Sequence, residues 1–134
     1  MSFLDEIAAK LAAAGVGTVG GNIFLGSHAV IPSGDGPYIT LLETGGSAPT
    51  RIQNQTAANT QRPTAQVVVR AKSYATARSK SKEAYLALDG LFNVTLSGTY
   101  YQSVTARQEP TDIGLDDQQR PRIVFNIDAE KNPS

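Results

Sequence analysis

The stretch whose side chains could most readily take part in catalysis or binding is "EPTDIGLDDQQRPRIVFNIDAE", residues Glu109–Glu130. Its carboxylates and guanidinium groups lie close together in sequence. Its charged residues around the central turn are Asp112, Asp116, Asp117, Arg120 and Arg122. Clustered carboxylates can hold Ca²⁺ or Mg²⁺, and a pair of them can hydrolyse a glycosidic bond. Carboxylates and arginines also form the charged hydrogen bonds that join protein surfaces. The stretch could therefore be a metal site, a catalytic site or a protein-binding surface.

The spacing favours a loop over a metal or catalytic site. An EF-hand needs acids at alternate positions around a central glycine, and this stretch does not match that pattern. Asp116 and Asp117 are adjacent, so their side chains would point in different directions, and no aromatic platform for a sugar is evident nearby. We therefore interpret the segment as a solvated, turn-forming loop, with a metal site as the alternative.

Two further motifs could indicate chemistry. "GVGTVG", Gly15–Gly20, matches G-x-G-x-x-G, but a dinucleotide site needs this motif after a strand and at the start of a helix. Here it follows a predicted helix, which favours a helix stop and a turn. His28 is the only histidine, and the chain has no cysteine, so neither a His-based metal cluster nor a convincing catalytic triad can be assembled. The sequence predicts no enzyme, no cofactor and no metal.

Length and composition limit the architecture. With 134 residues and no cysteine, we expect one domain, residues 1–134, without disulfides. No apolar run approaches the roughly 20 residues that span a bilayer. The N-terminal "MSFLDEIAAK" lacks a basic start and a long apolar run, so we expect no signal peptide, no membrane partner and assembly in a cytoplasm.

Charge is unevenly distributed along the chain although the net charge is zero. Residues 1–43 carry a net −3, residues 44–82 carry seven bases and no acid, and residues 83–134 carry eight acids against four bases. If the fold keeps this separation, oppositely charged surfaces would suit head-to-tail packing of identical subunits. The alternative is that folding interleaves the segments and removes the asymmetry.

The periodicity of apolar residues predicts two helices and five strands. The helices are Ser2–Gly15 and Ser73–Asn93, and the strands are Asn22–Leu25, Tyr38–Thr44, Thr64–Ala71, Tyr100–Arg107 and Arg122–Ala129. This order predicts an α+β fold with a mostly antiparallel four- to five-stranded sheet and two helices packed on one face. A long loop, Thr44–Pro63, would join the second and third strands, and we expect mobility across Gly45–Arg62. The predicted core contains Val67, Val69, Leu88, Phe92, Ile123, Phe125 and Ile127.

An ordered series of segments resembles one protein family across almost the whole chain. The segments are "GPYITLLETGG", "RPTAQVVVRAKSYATA", "LDGLFNVTLSGTYYQSV" and "EPTDIGLDDQQRPRIVFNI". In this order they resemble the tail terminator proteins of tailed bacteriophages, also called phage minor capsid proteins. No single segment is specific, but the series ending in P-x-x-I-G-x-D-x-x-x-R is fairly specific.

The resemblance implies a structural protein of the virion and no catalysis. Such a subunit would form a hexameric ring on the head-proximal end of the tail tube, stop tube polymerisation and contact the head connector or neck protein. DNA would pass through the lumen without sequence-specific binding. The candidate residues for subunit or partner contacts are Arg51, Arg62, Arg70, Arg78, Lys82, Asp112, Asp116, Asp117, Arg120 and Arg122.

Two alternatives remain open from the sequence. One is a neighbouring role as a head-completion or head–tail joining protein of the neck. The other is a small nucleic-acid-binding module, whose phosphate contacts would come from a set of basic residues. That set is Arg70, Lys72, Arg78, Lys80 and Lys82.

Overall fold

The computed structural model describes residues 3–26, 36–50, 60–115 and 119–132. The elements are α1 (Phe3–Ala13), β1 (Ile23–Leu25), β2 (Tyr38–Thr50), β3 (Thr60–Arg70), α2 (Tyr74–Leu88), β4 (Leu91–Leu96), β5 (Thr99–Ala106), β6 (Thr111–Leu115) and β7 (Pro121–Lys131). They form two helices and a sheet, so the α+β class is confirmed. Neither helix is long and apolar enough to cross a membrane.

The first helix, α1, is terminated by Gly15, which adopts a left-handed backbone conformation. Gly15 has φ of 79°, the Val16 amide donates to the Leu11 carbonyl at 3.0 Å, and the Gly15 amide donates to the Ala12 carbonyl at 3.1 Å. These two bonds form a Schellman motif, which satisfies carbonyls at the end of the helix. The Gly15–Gly20 segment is therefore a helix stop followed by a turn, as predicted.

The second helix, α2, is shorter than predicted. The Ser73 hydroxyl accepts a hydrogen bond from the Thr76 amide at 3.2 Å, so Ser73 is the N-cap and the predicted start of the helix is confirmed. The helix ends at Leu88, and Gly90 with φ of 76° reverses the chain into β4. The predicted extension to Asn93 is wrong, because residues 91–96 pair with β5.

The sheet is larger than predicted and mixed. Among the described residues it has seven strands, of which six run in the order β1-β2-β3-β7-β5-β4, and the remaining strand, β6, pairs with β7. β1 is parallel to β2, whereas the other described pairings are antiparallel, so the sheet is mixed and the predicted number of four to five strands is wrong. The prediction missed β4, because its first residues continue the apolar pattern of the preceding helix. It also missed β6, because all five of its residues are exposed and Gly114 interrupts its register.

The connection between β2 and β3 is also different from the predicted long loop. β2 continues to Thr50 and β3 begins at Thr60, so backbone pairing reaches into both ends of the predicted loop. The register shifts between Glu43 and Gly46 and again between Ser47 and Thr50. Such bulges disturb the alternation from which strands are predicted. Residues 51–59 lie outside the described residues.

The core lies between the sheet and the two helices. Six of the seven predicted core residues are fully buried: Val67, Val69, Leu88, Ile123, Phe125 and Ile127. Phe125 packs edge-on against Tyr85 of α2, with ring centroids 5.8 Å apart. The seventh prediction, Phe92, is wrong: its side chain is 60% exposed. In the pairing of β4 with β5, Phe92 lies opposite Ser103 and therefore on the face of the sheet away from the helices.

Candidate protein-binding face of the sheet

One face of the sheet carries the helices, and the other, which we call the open face, carries polar side chains. In β7, Ile123, Phe125 and Ile127 point to the core, so Arg122, Asn126 and Asp128 point to the open face. Their neighbours on β3 include Thr64, Gln66 and Arg70. Within the described part of the chain, no helix covers this face.

The first half of the open face is a wide polar groove of about 750 Å³. It is lined by Thr44, Arg62, Thr64, Gln66, Ser103, Thr105, Arg107, Asn126, Asp128, Ala129 and Glu130. Each arginine here has a carboxylate partner in the same chain. Arg62 lies 3.5 Å from Glu130, and Arg107 donates to Asp128 at 2.6 and 3.3 Å. The hydrogen bond to Asp128 and the charge of Asp128 raise the pKa of Arg107.

The Arg62–Glu130 pair bears on the predicted charge separation. Arg62 belongs to the all-basic segment and Glu130 to the acidic segment, yet β3 and β7 bring them together within one subunit. At this position the fold interleaves the two segments. Both side chains are more than a third exposed, so we expect the pair to contribute only about 0–1 kcal/mol to stability.

The second half of the open face is a smaller groove of about 380 Å³, which we call the arginine groove. It is lined by Tyr38, Thr40, Leu42, Gln66, Val68, Arg70, Ile113 and Arg122. Arg70 and Arg122 are direct cross-strand partners, and the Arg70 guanidinium lies 5.3 Å from the centre of the Tyr38 ring. Two like charges placed directly opposite each other on a sheet repel, so this pairing of arginines is unfavourable unless other groups offset it.

Arg122 is only weakly satisfied within the described part of the chain. Its Nη2 donates to the Leu115 carbonyl at 3.3 Å, whereas its buried Nε has no hydrogen-bond partner. No described carboxylate forms a salt bridge with it. The predicted outward direction of Arg70 and Arg122 is correct in that both side chains line the open face, although both are partly buried there.

The remaining candidate residues lie elsewhere. Arg78 on α2 donates to the Pro110 carbonyl at 2.6 Å and to the Tyr74 hydroxyl, and Lys82 is exposed on the same helix. Asp112 is exposed on β6, where its Oδ1 accepts from the Gly114 amide at 2.8 Å, as expected for a turn-shaping aspartate. Arg120 is 8% exposed within the subunit, and its contact with a partner stays a prediction.

Three candidate residues and the single histidine cannot be placed. Arg51, Asp116, Asp117 and His28 lie outside the described residues. Among the residues that are described, no three histidine, aspartate or glutamate side chains converge on a point where a metal ion could bind.

Sequence reasoning missed a buried polar cluster below the core. Glu6 of α1 is 1% exposed and accepts hydrogen bonds from the Thr99 hydroxyl, the Tyr101 hydroxyl at 2.7 Å and Lys131 Nζ at 3.1 Å. The alternation of side chains in β7 could have revealed the buried lysine, because Lys131 lies on the same inward face as Ile123, Phe125, Ile127 and Ala129. The spacing of Glu6 from Phe3 likewise places it on the buried stripe of α1.

The cluster keeps its acid ionised. Burial alone would raise the pKa of Glu6, but the hydrogen bonds from Thr99, Tyr101 and Lys131, together with the charge of Lys131, hold that pKa below its ordinary value. Burial and then the Glu6 carboxylate raise the pKa of Tyr101. The arrangement is a structural pairing of α1 with the sheet, because its groups face one another and are closed to solvent.

Comparison with known proteins gives one family. The family model described as "Bacteriophage tail terminator protein" matches residues 10–133. No curated protein sequence matches the chain.

Two solved structures share the fold. A chain from the structure of the virion of a native gene transfer agent particle superposes with a TM-score of 0.62 at 19% sequence identity, covering 98% of this chain and 96% of the other. A second structure, which carries no descriptive name, superposes with a TM-score of 0.56 at 14% sequence identity. The match covers 98% of this chain and 96% of the other.

Proposed function

The chain belongs to the bacteriophage tail terminator family, and from that premise we propose that it is a structural subunit that caps the tail tube. As one domain spanning residues 1–134, it would assemble into a ring of six copies at the head-proximal end of the tail. The ring would stop polymerisation of the tube protein and offer its other side to the head connector. DNA would pass through the lumen without base-specific contacts, and the protein would perform no catalysis.

The observation that supports assembly most strongly is the open face of the sheet. A sheet in a protein that works alone commonly exposes one polar face. Here, however, the two halves of that face differ: one half pairs its arginines internally, and the other places two arginines side by side. A positive surface of that kind suits a complementary acidic surface on a neighbouring protein.

The helical side of the subunit gives less support to a nucleic-acid-binding role. Arg78 and Lys80 donate to main-chain oxygens of Pro110 and Val16, and Lys80 also lies 3.1 Å from Glu83. A phosphate-binding surface needs such cations to be available, and it usually presents a clear excess of them. The net charge of the whole chain is zero.

A conditional null mutant of the gene tests the proposal. In lysates without the protein we expect filled heads, headless tails and tubes of uncontrolled length in electron micrographs. Complementation with the wild-type gene should restore virions of uniform tail length. Tails of normal length that fail only to attach to heads would instead indicate a joining protein of the neck, and normal virions would refute a structural role.

A further inference from the structure

We propose that the arginine groove of one subunit receives the acidic edge of the next, defined as Glu109 and Asp112, in a head-to-tail contact between copies of this chain. The proposal rests on the proposed ring, because it names the contact by which that ring would close. It commits to a second copy of the chain as the occupant of the groove.

The groove is suited to a carboxylate beside an apolar side chain. Its charged residues are Arg70 and Arg122, whereas Tyr38, Val68 and Ile113 supply an aromatic and aliphatic floor. The adjoining polar groove gives a comparison, because its two arginines, Arg62 and Arg107, each form an ion pair with a carboxylate of the same subunit. Arg122 has none among the described residues, and its Nε is buried without an acceptor.

An incoming carboxylate would supply what Arg122 lacks. The guanidinium group presents its donors in a planar fork that binds a carboxylate through two parallel hydrogen bonds. A carboxylate between the two arginines would also reduce the repulsion between cross-strand like charges. The apolar floor would lower the local dielectric constant and strengthen both interactions.

The acidic edge of the same chain lies on the opposite side of the sheet. Asp112 is the cross-strand partner of Ile123, which is buried beside Ala77 of α2, so Asp112 belongs to the helical side. The Pro110 carbonyl, which follows Glu109 directly, accepts a hydrogen bond from Arg78 of α2 at 2.6 Å, so the segment that carries Glu109 lies against the helical side. Both acids are exposed, and neither forms a salt bridge with a described residue.

The opposite placement of the two surfaces determines the kind of assembly. Both lie near the end of the sheet where β6 pairs with β7, one on each face. A positive groove on one face and an acidic edge on the other cannot satisfy each other within one subunit. Stacked head to tail, each subunit would contribute its groove to one neighbour and its edge to the other, which is the heterologous contact that closes a ring.

A charge swap tests the contact. Arg122→Glu and Asp112→Arg should each weaken self-association at least about tenfold, because each places like charges across the interface. The double variant reverses both sides of every contact and should return association to within about threefold of wild type. Sedimentation equilibrium over a wide concentration range measures these constants. Lys10→Glu on α1 alters the net charge as Arg122→Glu does and should leave association unchanged.

Folding must be separated from assembly. Thermal unfolding followed by circular dichroism should show that each variant is folded, and Arg122→Gln replaces Arg122→Glu if the reversal unfolds the subunit. Single variants that associate like wild type would overturn the proposal. The proposal would also be overturned if the double variant lost as much self-association affinity as the two single variants together.

Titration with a peptide keeps the proposal testable if the free protein is a monomer. The probe is a synthetic peptide of residues 109–115, with a control in which Gln and Asn replace Glu109 and Asp112. In nuclear magnetic resonance spectra, the acidic peptide should shift the Arg122 Nε–H and Tyr38 signals, and the amide peptide should not. Equal shifts from both peptides, no shifts, or a stronger response to single-stranded DNA would overturn the contact.

The two experiments also separate the contact from the ring. If the wild-type protein forms rings and the Arg122→Glu variant forms them equally well, the contact is refuted and the proposed function is unaffected. A protein that binds the acidic peptide but never forms rings, alone or on tail tubes, retains the groove's preference for carboxylates and refutes the ring.

Discussion

Lys131 Nζ lies 3.1 Å from Glu6 Oε1 in the interior, joining the first helix to the last strand across 125 positions of the chain. Both side chains are almost fully buried, and the hydroxyls of Thr99 and Tyr101 complete the shell around the carboxylate. The pair fixes α1 against the end of the sheet, because separating the two elements would leave opposite charges unpaired in an apolar interior.

Removing one member of this pair should destabilise the subunit strongly. We expect Lys131→Met to lower the free energy of unfolding by about 3–5 kcal/mol, because it leaves the Glu6 carboxylate buried without its cation. The double variant Glu6→Gln with Lys131→Met should cost less than the sum of the two single changes. Urea denaturation measures all three, with Lys10→Met as the control. A loss below about 1 kcal/mol for Lys131→Met would show that the pair is not buried as described.

The same pair predicts how stability depends on pH. The pKa of Glu6 is lower in the folded protein than its ordinary value of 4.5, so its stabilising contribution is fully present above pH 4.5. It is lost as the pH falls below 4.5 through the depressed pKa of the folded state. Urea midpoints from pH 7 to pH 3 should therefore fall more steeply for wild type than for Glu6→Gln. Parallel curves would contradict the depressed pKa.

The two phenylalanines Phe125 and Phe92 should respond differently to truncation. Phe125→Ala should cost about 3–5 kcal/mol, since it opens a cavity in the centre of the core. Phe92→Ala should cost less than about 1 kcal/mol, because that side chain is 60% exposed. Chemical denaturation of both variants gives the comparison. A large loss for Phe92→Ala would mean that β4 presents its other face to the core.

The central pattern of the sheet was predictable, whereas its margins were not. The alternation of Val67, Val69, Phe125 and Ile127 with polar residues identified β3 and β7, because a half-buried strand buries every second side chain. All side chains of β6 are exposed, and in β4 the half-buried residues Leu91, Val94 and Leu96 do not alternate regularly, because Asn93 with φ of 53° interrupts the strand. The sequence "LDGLFN" continues an apolar helical stripe, and only Gly90 signals that the chain turns there.

The candidate surface was predictable in part. Alternation in β3 and β7 placed Arg70 and Arg122 away from the core, but their direct opposition depends on strand register, which the sequence does not reveal. The Arg62–Glu130 pair depends on the same register. The buried Glu6–Lys131 pair depends on contacts between the two ends of the chain, which local patterns cannot supply.

The Schellman motif at the end of α1 gives a test of backbone strain. Gly15 has φ of 79°, and a side chain there would meet no other atom within 4 Å, so only the left-handed conformation opposes substitution. Gly15→Ala should therefore cost about 1–2 kcal/mol in stability. Gly21→Ala is the matched control, because its backbone is not left-handed and its nearest neighbour lies 3.6 Å away. Thermal denaturation showing equal losses would contradict the strain at Gly15.

The position of the protein in the virion tests the central claim most directly. Cryo-electron microscopy of intact particles should reveal six copies in a ring between the last ring of tube subunits and the head connector. Each subunit should turn its arginine groove towards the acidic edge of its neighbour. Density for the protein at the distal end of the tail, in the capsid shell, or nowhere in the particle would contradict its role as a tail terminator.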